Sequence, residues 1–289
     1  LVATIEKQTK ETVEIAIKAE KKFSVNRFGS TFELDKATSA LNKNYTTTPQ
    51  DVVIREINVN SHKKDFTPIL TLAKDGRGKT LVKGEHYELV ENNNPDDWAD
   101  YEYIIFAENF ADDAVYELSM YTEDEAGNRN NTAAPLKETP DISNVLLTFG
   151  VDKTRPKVNF LNAEENGSYR ADSMEFKVLV EDNIMVRNVE VYVNNIKRDP
   201  ESYTYDPQTQ QCTFKVASSE EAQRIEVVPF DMAGNVPETD DTVIDNVLVS
   251  PSFARILVHK KWFKFAVVGA VAAIAGAVGF VVKRKKKLR

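Results

Sequence analysis

The 289 residues predict an all-β chain of tandem antiparallel β-sandwiches, followed by one C-terminal transmembrane α-helix. Three observations carry this reading. Apolar and polar residues alternate over short runs separated by turn residues, the pattern of strands with one buried face. The sequence repeats itself: DEAGN at 124–128 returns as DMAGN at 231–235, and ISNVLL at 142–147 returns as IDNVLV at 244–249. Finally, FAVVGAVAAIAGAVGFVV at 265–282 is an uncharged apolar run.

Residues 1–26 read as the end of an upstream repeat, because FSVNRFGSTF at 23–32 matches FGVDKTRPKV at 149–158, where a later unit opens. Residues 27–155 then form one complete sandwich, with strands expected at 52–59, 69–72, 101–106 and 115–122. Residues 156–250 form a second, in which the alternation is clearest. Met174, Phe176, Val178 and Val180 point one way while Glu175, Lys177 and Glu181 point the other. Val189, Val191 and Val193 alternate with Glu190 and Tyr192, and Cys212, Phe214 and Val216 with Thr213 and Lys215. Ile225 and Val227 flank Glu226, and further strands are expected at 157–161, 203–205 and 243–249. Short strands this close together, divided by Glu-Asn-Gly, Asp-Asn, Asp-Pro and Ala-Gly-Asn, suit a sandwich.

Residues 251–261 are a juxtamembrane linker and 262–282 the transmembrane helix. At 1.5 Å per residue the apolar run spans about 27 Å, close to the hydrocarbon thickness of a bilayer. Trp262 stands at its front edge, where amphipathic aromatics collect. Lys283 and Arg284 open the basic tail 283–289, KRKKKLR, which marks the cytoplasmic side. The expected localisation is therefore a single-pass cell-membrane protein with its ectodomain outside. The chain opens on Leu1 without a signal peptide, so a longer precursor is expected.

Charge and composition exclude several classes. The net charge is -8, yet ten bases and no acids lie between Arg255 and Arg289, leaving 27 bases against all 45 acids upstream, a balance of -18. So acidic an ectodomain repels nucleic acid. One cysteine and three histidines exclude disulfides within the chain, Cys/His zinc sites, haem and iron–sulfur chemistry, and no cofactor is expected. His62, His86 and His259 are scattered, and GxSxG, HExxH and Walker loops are absent, so no enzyme is expected. Cys212 falls on the inward side of its strand as a small hydrophobe.

The succession of strand, D-x-A-G-N, strand and V-D-K-T-R-P resembles the bacterial immunoglobulin-like repeats of Gram-positive cell-surface proteins. Asp124, Ala126, Gly127 and Asn128 carry the resemblance, with Asp231, Ala233, Gly234, Asn235, the segment 151–156 and Glu181-Asp182-Asn183. It implies Ig-like sandwiches that serve as spacers, adhesins or accessory modules. The LPxTG sorting motif common in such proteins is missing from 250–262, which favours a plain membrane anchor. A Lys–Asn isopeptide crosslink, as in related pilin-type domains, would show as a loss of about one ammonia in intact mass.

The AGN residues Asp124, Gly127, Asn128, Asp231, Gly234 and Asn235 read as structural turns. Glycine supplies a positive φ and Asp and Asn bond nearby amides. A calcium site is the alternative, since acids cluster at Asp96-Asp97-Asp100, Asp112-Asp113, Glu123-Asp124-Glu125, Glu181-Asp182 and Asp240-Asp241. None has the spacing of a recognised cation loop, and a solvated acidic face is the simpler reading. Trp98, Tyr101 and Tyr103 beside the loop 92–97 are weighed as a sugar platform against core packing, which alternation favours. The expected function is a membrane-anchored stalk or adhesion protein that presents an upstream element away from the lipid. Alternatives are repeats that bind a host protein or glycan, or the accessory end of a surface hydrolase. Fold alone does not choose between them.

Overall fold

The computed structural model describes residues 2–7, 13–18, 29–59, 62–92, 99–132 and 146–260. The expected transmembrane helix, Trp262, Lys283, Arg284 and the basic tail lie outside the described residues, as does Trp98. Among the described residues no helix is long and apolar enough to cross a membrane. The chain divides into two compact units, one of residues 1–42, 51–109 and 117–148, the other of residues 43–50, 110–116 and 149–289.

A hairpin comes first: β1 (Val2–Lys7) pairs antiparallel with β2 (Val13–Lys18), Val2 opposite Lys18. The next set is β3 (Thr31–Leu34), the short helix α1 (Lys36–Leu41), β4 (Tyr45–Thr46), β5 (Val52–Val59), β6 (Ile69–Lys74), β7 (Arg77–Thr80), β8 (Tyr87–Asn92), β9 (Ala99–Ile105), β10 (Ala114–Glu123), β11 (Arg129–Asn131) and β12 (Leu147–Val151). The last set is β13 (Lys157–Phe160), β14 (Ser168–Tyr169), β15 (Ser173–Glu181), β16 (Val186–Val193), β17 (Ile196–Lys197), β18 (Tyr203–Asp206), β19 (Gln211–Ala217), β20 (Gln223–Asp231), β21 (Val243–Val249) and the helix α2 (Phe253–His259).

Each set makes the same pair of sheets. In the later set the orders are β13-β15-β19-β18 and β14-β21-β20-β16-β17. In the earlier set they are β3-β5-β9-β8 and β4-β12-β10-β6-β7, with β11 against β10. Lettered along the chain, both read A-B-E-D and A′-G-F-C-C′, the strand order of the immunoglobulin fold. Even the short A′ strand recurs: β4 runs parallel to β12 and β14 parallel to β21.

The period-two pattern explains the later sandwich. Phe176, Val178 and Val180 of β15, Val189, Val191 and Val193 of β16, Cys212, Phe214 and Val216 of β19, and Ile225 and Val227 of β20 share one core. Phe176 and Phe214 stack with ring centroids 5.3 Å apart. Each such side chain contributes roughly 1.5–3 kcal/mol by leaving water. A one-residue slip of register would expose a whole row of them, so the pairing is strongly specified.

Candidate functional site

The two AGN turns are built alike. The Asn128 amide donates to Asp124 Oδ1 at 2.8 Å and its side-chain Nδ2 to Oδ2 at 2.9 Å. The Asn235 amide donates to Asp231 Oδ1 at 2.8 Å and its Nδ2 to Oδ2 at 2.6 Å. Gly127 and Gly234, at φ +83° and +90°, supply the left-handed step between them. Asn235 does more than its counterpart: Nδ2 also reaches the carbonyls of Asp152 and Thr154 at 3.0 and 3.3 Å. The second turn thereby holds the segment that leads into β13.

There the later unit gathers acid. Asp152, Asp182 and Asp231 each bring a carboxylate oxygen within 4.8 Å of the other two. Asp152 and Asp231 are fully buried. Asp182 uses Oδ2 to accept the amides of Ile184 and Met185 at 2.9 and 2.8 Å, and its Oδ1 is buried without a hydrogen-bond partner. Asp152 Oδ1 accepts the Thr154 amide at 3.2 Å, and its Oδ2 is likewise buried and unpartnered. Asp113 stands beside them, with Oδ2 accepting from the Thr154 amide and hydroxyl at 3.1 and 2.6 Å and from Asn183 Nδ2 at 3.3 Å. Its Oδ1 faces Lys153 Nζ at 3.6 Å, an ion pair too long for a hydrogen bond.

Among the described residues no cation pairs with Asp152, Asp182 or Asp231. Burial, then the charges of Asp182 and Asp231, push the Asp152 carboxyl up to about 6, with Asp113 adding and the Thr154 amide opposing. Burial acts on Asp113 too, but bonds from Thr154 and the Lys153 charge outweigh it and hold that carboxyl below its usual value. The set is all oxygen and strongly anionic, chemistry that suits a hard cation rather than zinc or copper.

The earlier unit holds a different polar centre. Glu56, an inward residue of β5, is fully buried. Its Oε1 accepts from Ser30 and Thr122 hydroxyls at 2.5 and 2.6 Å, and its Oε2 from Tyr103 at 2.7 Å with His62 Nε2 at 2.8 Å. Burial opposes ionisation, but the His62, Ser30 and Thr122 contacts prevail and keep the carboxyl low. Tyr103 is raised by burial, the Glu56 charge and their hydrogen bond.

Tyr101 and Tyr103 are buried, and Tyr101 stacks on His62 with centroids 3.8 Å apart, so neither offers a face to a sugar. His259 Nδ1 sits 2.7 Å from the Ser168 hydroxyl, and His86 Nδ1 accepts the Val82 amide at 3.1 Å. Glu123 pairs with Lys63 and Arg129, Asp240 and Asp241 are exposed, and 93–98 lie outside the described residues. Cys212 is buried, which pushes its thiol up to about 12.

In the sequence Asp182 stands with Glu181, and Asp231 has the pattern of a turn residue. Nothing in the spacing brings either to Asp152. Glu56 goes unnoticed as well, although a charge in phase with the buried Val52 and Ile54 is its signal.

No protein-family model and no curated protein matches this sequence. Among solved structures the chain is similar to the fibronectin(III)-like modules of Clostridium thermocellum CbhA, at 12% identity and TM-score 0.30, covering 76% of this chain and 94% of that one. It is similar to the I67–I69 I-band fragment of titin at 11% identity and TM-score 0.38, covering 77% and 66%. Tandem Ig repeats of Dlar match at 13% identity and TM-score 0.24, covering 72% and 92%. Similarities this distant leave the strand order itself as the ground for the fold.

Proposed function

We propose that this chain is the membrane-proximal part of a non-catalytic cell-surface stalk, in which Ig-like units in series hold an upstream element away from the lipid. The observation that carries the reading is repetition: two successive sandwiches share one strand order and one D-x-A-G-N turn, and an uncharged run at 265–282 with a basic end follows them. Strands of eight or nine residues such as β16 and β15 extend roughly 26–30 Å, so each unit adds a few nanometres of reach. The acidic balance upstream of Arg255 discourages such units from collapsing on one another. A bacterial cell surface, with membrane lipid as the partner of the terminal helix, is the setting this composition fits, by resemblance to Gram-positive repeats.

Protease treatment of intact cells tests it. The ectodomain is expected to be digested from outside while a fragment carrying 265–289 stays with the membrane. Full protection on intact cells, or recovery of the whole chain in the soluble fraction, would refute the anchored stalk.

A further inference from the structure

We propose that Asp152, Asp182 and Asp231 bind one calcium ion in the later unit, with Asp113 at its margin. The inference goes beyond the stalk reading and stands whether or not the chain is anchored.

The cluster carries an imbalance of charge. Three carboxylates converge, two of them wholly buried, and among the described residues none is paired with a base. The bases that are near have other partners: Lys153 reaches Asp113 and the Ala111 carbonyl, and Arg155 pairs with Glu238. Buried charges without counter-charge are destabilising by several kcal/mol each, so a fold that retains them needs a proton or a cation there.

A second observation separates this cluster from an ordinary acidic surface. The Asp152 side chain is 0 % exposed, and its Oδ2 is buried in the cluster with no hydrogen-bond donor. Asp182 Oδ1 is in the same condition. Asp152 and Asp182 each use one oxygen on the amides of a local turn and leave the other facing acid. The carboxylates are thus oriented in advance, and no rotamer need be lost on binding.

The donor set selects the ion. Oxygens bound to one calcium at 2.3–2.6 Å lie at most about 5 Å apart, which accommodates the spacing within 4.8 Å. No histidine or cysteine joins the group, which disfavours zinc. Magnesium demands a near-ideal octahedron and keeps most of its water, so a carboxylate-rich, half-enclosed cradle serves it less well. Water would complete the calcium shell from the side where Asp182 is partly exposed. Extracellular calcium modules bind with dissociation constants of about 0.1–1 mM, the range expected here.

The test is the melting of the full chain in mild detergent at pH 7.5, with calcium chloride at about 10 mM or with EGTA, together with a calorimetric calcium titration. Calcium at ten to a hundred times its dissociation constant is expected to raise the midpoint of the later unit by about 3–10 °C. Magnesium at the same concentration is expected to give less than half of that rise. Asp182→Asn and, separately, Asp152→Asn should weaken calcium binding by about tenfold or more, while their midpoints in EGTA equal or exceed that of the unaltered chain because repulsion is relieved. A double Asp240→Asn, Asp241→Asn control, which removes exposed acids elsewhere, should keep the full calcium response. An unaltered chain whose midpoint ignores calcium up to 10 mM would overturn the site. So would retention of the full response by both cluster variants, and an equal magnesium effect would overturn the choice of ion.

Discussion

Glu56→Ala removes the acceptor on which four side chains converge in the earlier sandwich. The Tyr103 and Thr122 hydroxyls, 0 % and 2 % exposed, keep only long contacts once it is gone, Tyr103 with His62 Nε2 at 3.4 Å and Thr122 with the Ser30 hydroxyl at 3.3 Å. A buried donor left with so long a contact loses most of its hydrogen bond, at about 1–3 kcal/mol each, so these two contribute about 4 kcal/mol between them. Ser30 and His62 lie nearer the surface and re-solvate at less cost. The cavity left by the deleted atoms adds about 1 kcal/mol. A loss of about 5 kcal/mol is therefore expected, within the range for breaking a buried pair by removing one member. Glu56→Gln keeps the shape and one acceptor oxygen for Ser30 and Thr122, and its amide can donate to His62, so about 1–2 kcal/mol is expected. Urea unfolding at pH 7 followed by tryptophan fluorescence, with Trp98 lying in sequence between β8 and β9, measures both. The acid limb adds a check of sign. Because the folded carboxyl lies below its usual 4.5, its stabilisation is complete above that value and is lost as pH falls through the folded one. Glu56→Gln should lack that limb. A cost for Glu56→Ala under about 1 kcal/mol, or equal costs for the two variants, would refute the account of the network.

Three further outcomes are expected. Asp152, raised from 3.8 to about 6, holds its proton more tightly folded than unfolded, so its ionisation destabilises the fold. In EGTA the unaltered chain should therefore gain about 1–2 kcal/mol relative to Asp152→Asn as pH falls from 7.5 towards 4.5, about half the unscreened shift after solvent screening; equal pH profiles in urea titrations would contradict this. Gly234→Ala has open space for its methyl but a φ of +90°, so a loss of about 1 kcal/mol from backbone strain is expected. Gly150→Ala drives its methyl into the Tyr45 ring and should lose about 2 kcal/mol, and the thermal midpoints should fall in that order. Cys212, buried with its thiol pushed up to about 12, should not react with a disulfide reagent at pH 8 until urea unfolds the later sandwich.

Strand phase is legible in the sequence because burial acts on every second residue. Phe176, Val178 and Val180 announce the inner face of β15, and those three are 0 % exposed. The D-x-A-G-N turns are legible for a related reason, since glycine and asparagine are the residues that tolerate the left-handed step. What the sequence does not display is which inward positions on separate strands meet. Glu56 and Tyr103 stand 47 positions apart and Glu56 and Thr122 stand 66 apart, yet one carboxylate joins them. Asp152, Asp182 and Asp231 are hidden in the same way: each looks like an ordinary turn acid, and only the pairing of β13 with β15 and of β16 with β20 brings their segments together. The 18-residue apolar run is legible by length and composition alone, and it lies outside the described residues.

The two sandwiches show that the turn does not by itself make the acidic cluster. Both turns tie an aspartate to an asparagine four residues on, and in both the loop after the B strand returns to the end of the F strand. In the earlier sandwich that loop donates the Lys63 amide to the Glu123 carbonyl at 2.9 Å and pairs His62 with Asp124. In the later one it accepts the Met232 amide at the Met185 carbonyl at 3.2 Å. The difference lies in the side chains the loop carries. The earlier loop brings Lys63, whose Nζ lies 2.6 Å from Glu123 Oε1, and Arg129 closes the other side at 3.2 Å. Glu123 is the residue before the turn aspartate, a place that Phe230 takes in the later sandwich, whose loop instead brings Asp182 to the turn aspartate Asp231 itself. One backbone arrangement thus carries two electrostatic patterns, an acid before the turn neutralised by a lysine of the chain and an acid cluster at the turn that the proposed calcium would neutralise. Asp182→Lys, which sets a base beside Asp152 and Asp231, should remove the calcium response and leave a midpoint in EGTA at or above that of the unaltered chain.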